Sequence, residues 1–86
     1  MNIKHAQYML TVMQEGSITA AAKKLYISQP SLSQMIKLVE TNLGTAIFNR
    51  STDPITLTYA GEKYIEAAKQ ILTINNNLQK EIDEIN

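Results

Sequence analysis

The chain has 86 residues, no cysteine, and eight basic against eight acidic side chains, so its formal net charge is zero. This length provides one domain, or one domain with an appendage; the lack of cysteine excludes a disulfide framework and a thiolate zinc site, and no apolar run approaches the roughly 20 residues of a membrane span. The N-terminus lacks the charged-then-apolar order of a signal peptide, so we expect a cytoplasmic protein with no membrane partner.

The charges are unevenly distributed along the chain. Up to Arg50, five cationic side chains stand against two anionic ones, and after Arg50 six anionic side chains outnumber three cationic ones. A moderately basic first part is therefore joined to an acidic tail. Zero net charge argues against a nucleic-acid binder, and the uneven distribution weakens that objection.

Two helices are predicted at the start of the chain. Apolar residues recur at helical spacing before Gly16, a helix-stop signal, which predicts a first helix over about Ile3–Glu15. Ser17 is a candidate N-cap for a second helix over about Ile18–Leu25. The alanines of this second helix are small, so a crossing helix can approach it closely.

The third predicted helix has one apolar and one polar face. Ser28 as N-cap, Pro30 in the first turn and Gly44 as C′ residue predict a helix over about Gln29–Leu43. At about 100° per residue, one narrow stripe is apolar: Leu32, Ile36, Val39 and Leu43. The opposite face, here called the polar face, carries one cation and no anion: Pro30, Ser33, Gln34, Lys37 and Thr41. The polar face is either simply solvated or suited to reading base edges in a DNA major groove.

The segments around the third helix predict a winged helix-turn-helix. The second and third helices are joined by a short turn without the usual glycine, so Tyr26 or Ile27 must occupy its corner. After the third helix, residues 46–50 and 55–57 have the composition of short strands around the turn-rich segment 51–54. We expect a small β-hairpin there, called the wing; an irregular loop is the alternative.

A long helix is predicted at the end of the chain. Thr58 is a candidate N-cap, and apolar residues then recur at steps of three and four over about 27 residues, a pattern typical of coiled coils. We call this row the seam: Tyr64, Ala67, Ile71, Ile74, Leu78, Ile82 and Ile85. The preceding part of the chain is too short to bury the whole seam, so we expect pairing with a second copy. Fraying near the weak helix formers 75–77 is the alternative.

These elements, with the residues that fill them, resemble the N-terminal DNA-binding domain of LysR-type transcriptional regulators. The matching segments are 16–25, 27–33, 43–50 and 57–61, and the resemblance covers the whole chain. It implies a mainly α fold: a winged helix-turn-helix over 1–58 with its helix-turn-helix segment at 18–37, then a linker helix over 59–86 that pairs antiparallel in a dimer.

The resemblance also implies partners. They are double-stranded DNA with a palindromic operator, a second copy of the chain, a tetramer in the full-length protein, and a small-molecule effector bound only by a C-terminal domain absent from this chain. No cofactor, metal or membrane is implied. Gln34 and Leu38 stand where members often carry a basic residue, and the wing lacks the further arginine that many members place in the minor groove.

The candidate site residues follow from the polar face, the helix starts, the wing and the seam. The candidates for contact with base edges are Gln29, Pro30, Ser33, Gln34 and Lys37. The candidates for contact with phosphates are Ser17, Thr19, Ser28, Ser31 and Arg50. For Ser17 and Ser28 the alternative is capping alone. The candidates for the dimer interface are Tyr64, Ala67, Ile71, Ile74, Leu78 and Ile82.

Two other classes of function compete with DNA binding. One is a helical protein-interaction module that dimerises through the last helix, presents the polar face to a protein and binds no DNA; zero net charge supports it. The other is an enzyme, for which the sequence has no metal-ligand cluster, phosphate loop or nucleophile with a base at a suitable spacing. His5, the only histidine, is interpreted as a surface or packing residue.

Overall fold

The computed structural model describes all residues, 1–86, and contains four helices and one two-stranded antiparallel sheet. The elements in chain order are α1 (Ile3–Glu15), α2 (Ile18–Leu25), α3 (Gln29–Leu43), β1 (Phe48–Asn49), β2 (Thr56–Leu57) and α4 (Tyr59–Ile85). The helix bounds are those predicted from the sequence. None of the helices combines the length and the apolar composition that crossing a lipid bilayer requires.

Each helix begins and ends for a local reason. The four caps accept a backbone N–H three positions along: Asn2, Ser17, Ser28 and Thr58. α1 and α3 end at left-handed glycines, Gly16 with φ 69° and Gly44 with φ 84°. α2 ends at Tyr26, which has φ 57° and a side chain 95% exposed, so Tyr26 occupies the corner of the helix-turn-helix.

The wing is confirmed as a hairpin, although its paired strands are shorter than predicted. Phe48 pairs with Leu57 and Asn49 with Thr56, whereas residues 46–50 and 55–57 were expected to be extended. The reason is that the backbone just before β1 is bonded elsewhere. The amide of Ile47 donates to a side-chain carboxylate of α3, and its carbonyl accepts from the amide that precedes α4.

The core lies where α1, α2, α3 and the first half of α4 meet. Its members are all apolar or aromatic: Ala6, Met9, Val12, Ala21, Ala22, Leu32, Ile36, Ile47, Phe48, Tyr64, Ile65 and Ala68. Met13 and Met35 pack against this core and are half-buried. Leu43, predicted in the apolar stripe of α3, is instead 48% exposed, because it lies at an open groove that Met1 and Tyr64 also line.

α4 begins inside this core and then leaves it. Ile65 and Ala68 are buried and Leu72 packs against the core, whereas every residue from 73 to 86 is exposed. We call everything up to Leu72 the head. The sequence division at residue 58 therefore falls inside one packing unit, and the second half of α4 projects from the head of a molecule that measures 47 × 26 × 21 Å.

Candidate nucleic-acid interface

The polar face of α3 is presented to solvent by the packing of the opposite side. Leu32 and Ile36 are 0% exposed and fix the rotation of the helix about its axis. As a result four of the five candidates for base contact are exposed and one is half-buried: Gln29, Pro30, Gln34 and Lys37 are exposed, and Ser33 is half-buried. Such a face offers amide, hydroxyl and ammonium groups on one continuous surface.

The N-terminal end of α3 carries a pair of hydroxyls, whereas Pro30 has no backbone N–H and the N–H of Ser31 is bonded to the cap. The Ser28 hydroxyl accepts from the Ser31 amide at 3.2 Å and donates to the Ser31 hydroxyl at 2.7 Å. Ser28 is therefore occupied as a cap, and the Ser31 hydroxyl hydrogen stays available to an external acceptor. This arrangement suits an anion, because the N-terminus of a helix carries a partial positive charge.

The start of α2 offers a second set of hydroxyls. Ser17 accepts from the Ala20 amide at 3.1 Å and is half-buried, and Thr19 is exposed. The Ser17 hydroxyl hydrogen is likewise not used in an intramolecular bond. Capping and phosphate contact are compatible at Ser17, because capping uses an oxygen lone pair and phosphate contact uses the hydrogen. At Ser28 the hydrogen is donated to the Ser31 hydroxyl and has to turn away from it to reach a phosphate.

The sequence reasoning missed Glu40, which ties the wing to α3. One carboxylate oxygen, Oε2, accepts from the backbone amides of Ile47 at 2.7 Å and Phe48 at 3.3 Å. The other, Oε1, lies 3.5 Å from Nη2 of Arg50, the predicted phosphate contact of the wing. The only signal in the sequence was an anion beside the apolar stripe of α3, because the partners lie 7–10 residues further along the chain.

The other end of the wing is tied to the turn between α1 and α2. The amide of Ile55 donates to the carbonyl of Gly16 at 2.9 Å, and a Cβ placed on Gly16 would lie 2.8 Å from Cβ of Pro54. The tip between these anchors is polar and uncharged apart from Asp53. The wing is therefore fixed relative to α3 without supplying any cation other than Arg50.

Some cationic side chains of the head form ion pairs and others do not. Lys24 pairs with Glu15 at 3.5 Å and Arg50 pairs with Glu40, whereas Lys23 and Lys37 form no ion pair and are exposed. Both observed pairs are partly exposed and long, so each is weak. Lys37 lies on the polar face itself and is the free charge nearest to the candidate base contacts.

The candidates for the dimer interface divide into two groups. Tyr64 belongs to the core, and its side chain is only 8% exposed, so little of it is available to a partner. Its buried hydroxyl has no hydrogen-bond partner, and burial raises the pKa of this group above its ordinary value. Ala67 and Ile71 are half-buried, whereas Ile74, Leu78 and Ile82 are 69%, 55% and 43% exposed.

Comparison with known proteins agrees with this architecture. A family model described as "Bacterial regulatory helix-turn-helix protein, lysR family" matches residues 3–62. The HTH-type transcriptional regulator BsdA of Bacillus subtilis is 40% identical over 86 residues, which are 99% of this chain and 30% of that protein. BudR of Klebsiella aerogenes, also an HTH-type transcriptional regulator, is 43% identical over 76 residues, 88% of this chain and 53% of BudR.

Solved structures of the same architecture include complexes with DNA. The crystal structure of BenM_DBD with catB site 1 DNA matches with a TM-score of 0.93 and 32% identity, over 99% of this chain and 96% of that one. The CbnR_DBD–DNA complex matches with a TM-score of 0.88 and 30% identity, over 99% and 98% of the two chains. This chain spans between about a quarter and a half of the curated regulators that it matches.

The matched region runs from the first residue of α1 into the first turn of α4 and includes the helix-turn-helix and the whole wing. The matched region also contains the buried stripe and the exposed polar face of α3. This chain therefore belongs to the LysR family of bacterial regulatory helix-turn-helix proteins and carries the winged helix-turn-helix of that family.

Proposed function

We propose that this chain is the part of a LysR-family transcriptional regulator that recognises a specific operator in double-stranded DNA. One observation supports the proposal above all: the core holds Leu32 and Ile36 at 0% exposure, and so turns the polar face of α3 outwards as an exposed hydrogen-bonding surface. α3 enters the major groove, where such side chains can distinguish base pairs. The match to solved DNA complexes favours this function over a module that binds only protein.

The two sets of contacts have different roles. The base edges are read by Gln29, Pro30, Ser33, Gln34 and Lys37, and the phosphates are held by Ser17, Thr19, Ser28, Ser31 and Arg50. The phosphate contacts set the orientation of the head on the duplex, and the base contacts set the sequence preference. The exposure of the polar face and the free hydroxyl hydrogens at the starts of α2 and α3 support this assignment.

The functional unit is a homodimer. The exposed apolar row on the projecting half of α4 supports antiparallel pairing of two copies, because one head cannot cover it. A two-fold symmetric dimer reads two half-sites of opposite orientation, which makes the operator palindromic. In this proposal residues 1–58 form the DNA-binding domain, and residues 59–86 form the linker helix through which two copies pair, as the sequence predicted.

The full-length regulator has further properties in this proposal. It acts in the cytoplasm, where bacterial DNA lies, and it assembles into a tetramer. It responds to a small-molecule effector through a C-terminal effector-binding domain. It is a regulator and catalyses no reaction, as the names of the related transcriptional regulators suggest.

The first test is the dependence of binding on salt. The operator is first selected from a random DNA pool, and its dissociation constant is then measured at several salt concentrations. Each head presents three or four cations near the DNA, so a dimer neutralises about six to eight phosphates and log K falls against log salt with a slope of roughly −5 to −7. A slope near zero would exclude DNA binding and would leave the protein-interaction module as the function.

Gln34 is expected to set part of the base preference. It is exposed on the polar face, and its amide offers a donor and an acceptor side by side, which match N6–H and N7 of adenine. Gln34→Arg should move one position in each half-site from adenine towards guanine. Gln34→Ala should flatten that position at a cost of about 1–3 kcal/mol in discrimination.

Selection from the random pool, repeated with each variant, provides the measurement. Gln70→Ala, an exposed glutamine on α4, is the matched control and should leave the selected sequence unchanged. If both Gln34 variants changed affinity equally for every sequence, then Gln34 would contact only phosphate or water.

A further inference from the structure

We propose that Glu40 is a positioning residue for DNA binding: one of its oxygens fixes the wing on α3, and the other restrains Arg50 until a phosphate competes for it. The inference rests on the proposed function, because it assigns a role at the same interface. It concerns a residue of α3, the helix proposed to enter the major groove, that itself contacts neither bases nor phosphates.

The fixing contact is made by Oε2 of Glu40. It accepts from the amide of Ile47 at 2.7 Å and from the amide of Phe48 at 3.3 Å, at the point where the chain enters the wing. Ile47 is 0% and Phe48 3% exposed, so these amides lie where water cannot easily replace a lost acceptor. Hydrogen bonds of N–H groups to a carboxylate are stronger than those to a neutral acceptor.

The restraining contact is made by Oε1 of Glu40. It lies 3.5 Å from Nη2 of Arg50, whose side chain is 46% exposed, while the Glu40 side chain is 17% exposed. A partly exposed pair at this distance is weak, so a phosphate can take the guanidinium without disturbing Oε2. The Glu40 carboxylate therefore holds the wing both in the free protein and in the DNA complex. It pairs with Arg50 only in the free protein, and this pairing competes with the phosphate for the guanidinium.

This division of roles predicts opposite effects for two substitutions. Glu40→Gln keeps an oxygen that can accept from the two amides and removes the negative charge that competes for Arg50. Glu40→Ala removes both contacts. If Glu40 only held the wing, Glu40→Gln would leave DNA binding unchanged and Glu40→Ala would weaken it; if Glu40 acted only through its charge, both substitutions would strengthen binding.

Amide hydrogen exchange in the free protein tests the fixing contact. Protection of the amides of Ile47 and Phe48 should persist in Glu40→Gln and fall at least tenfold in Glu40→Ala. Glu15→Gln is the matched control, because Glu15 pairs with Lys24 at the same 3.5 Å but accepts no backbone N–H; it should leave both amides protected. Equal protection in the two Glu40 variants would overturn the proposal.

Operator affinity tests the restraining contact. Glu40→Gln should bind about threefold to tenfold more tightly than wild type, because a weak pair in each head no longer competes, and Glu40→Ala should bind more weakly than wild type. The gain in Glu40→Gln should vanish in an Arg50→Ala background, while any gain from Glu15→Gln should persist there. A Glu40→Gln gain that survives Arg50→Ala would overturn the proposal. If the wild-type chain bound no DNA, the proposed function would fail, and amide exchange would still decide whether Glu40 holds the wing.

Discussion

Leu78→Asp is expected to convert the proposed dimer into monomers. Leu78 lies on the projecting half of α4, 55% exposed, between Ile74 and Ile82, which are 69% and 43% exposed. Such a row of apolar side chains is stabilised by contact with the same row of a second copy. An aspartate in that interface is a buried charge without a partner and costs about 3–5 kcal/mol, which weakens association by roughly a hundredfold to several thousandfold.

Analytical ultracentrifugation measures this effect directly. Asn76→Asp adds the same charge on the other side of α4 and should leave the dimer intact. The Leu78→Asp variant should keep a folded head, because Leu78 lies outside the core. Its affinity for a palindromic operator should fall towards that of a single head for one half-site. A wild-type chain that stayed monomeric at high micromolar concentration would contradict the proposed dimer.

Gly61→Ala is expected to destabilise the head by about 3 kcal/mol or more, a large share of the stability of a small domain. A Cβ at this position would lie 1.9 Å from the carbonyl oxygen of Ile47 and 2.9 Å from its carbonyl carbon. The obstacle is backbone, and it is anchored: the amide of Thr58 donates to that oxygen at 3.0 Å. α4 would have to move away from the start of the wing.

Urea denaturation of the purified chain measures the free energy of unfolding. Gly44→Ala is the instructive comparison, because Gly44 has φ 84° but a Cβ there would meet no atom within 4 Å. It should cost only the conformational strain of about 1–2 kcal/mol. If Gly61→Ala cost less than Gly44→Ala, then the close approach of α4 to Ile47 would not be rigid.

The sequence by itself determined the helices and the outward face of α3. The caps Ser17, Ser28 and Thr58 bond to amides three residues along, and Gly16 and Gly44 end their helices locally. Interactions of such short range can be recognised in a linear pattern. The family resemblance rested on the same local segments, and the comparisons confirmed it.

Only the tertiary structure decided how α4 is divided and how the wing is attached. A helical pattern shows that α4 has an apolar row, but not that Ile65 and Ala68, which lie outside the seam, are buried in the head together with Tyr64. Likewise nothing near Glu40 in the sequence indicates that it accepts from the amides of Ile47 and Phe48. These contacts join residues that are far apart in the chain, so they depend on how whole elements pack rather than on the preferences of neighbouring residues.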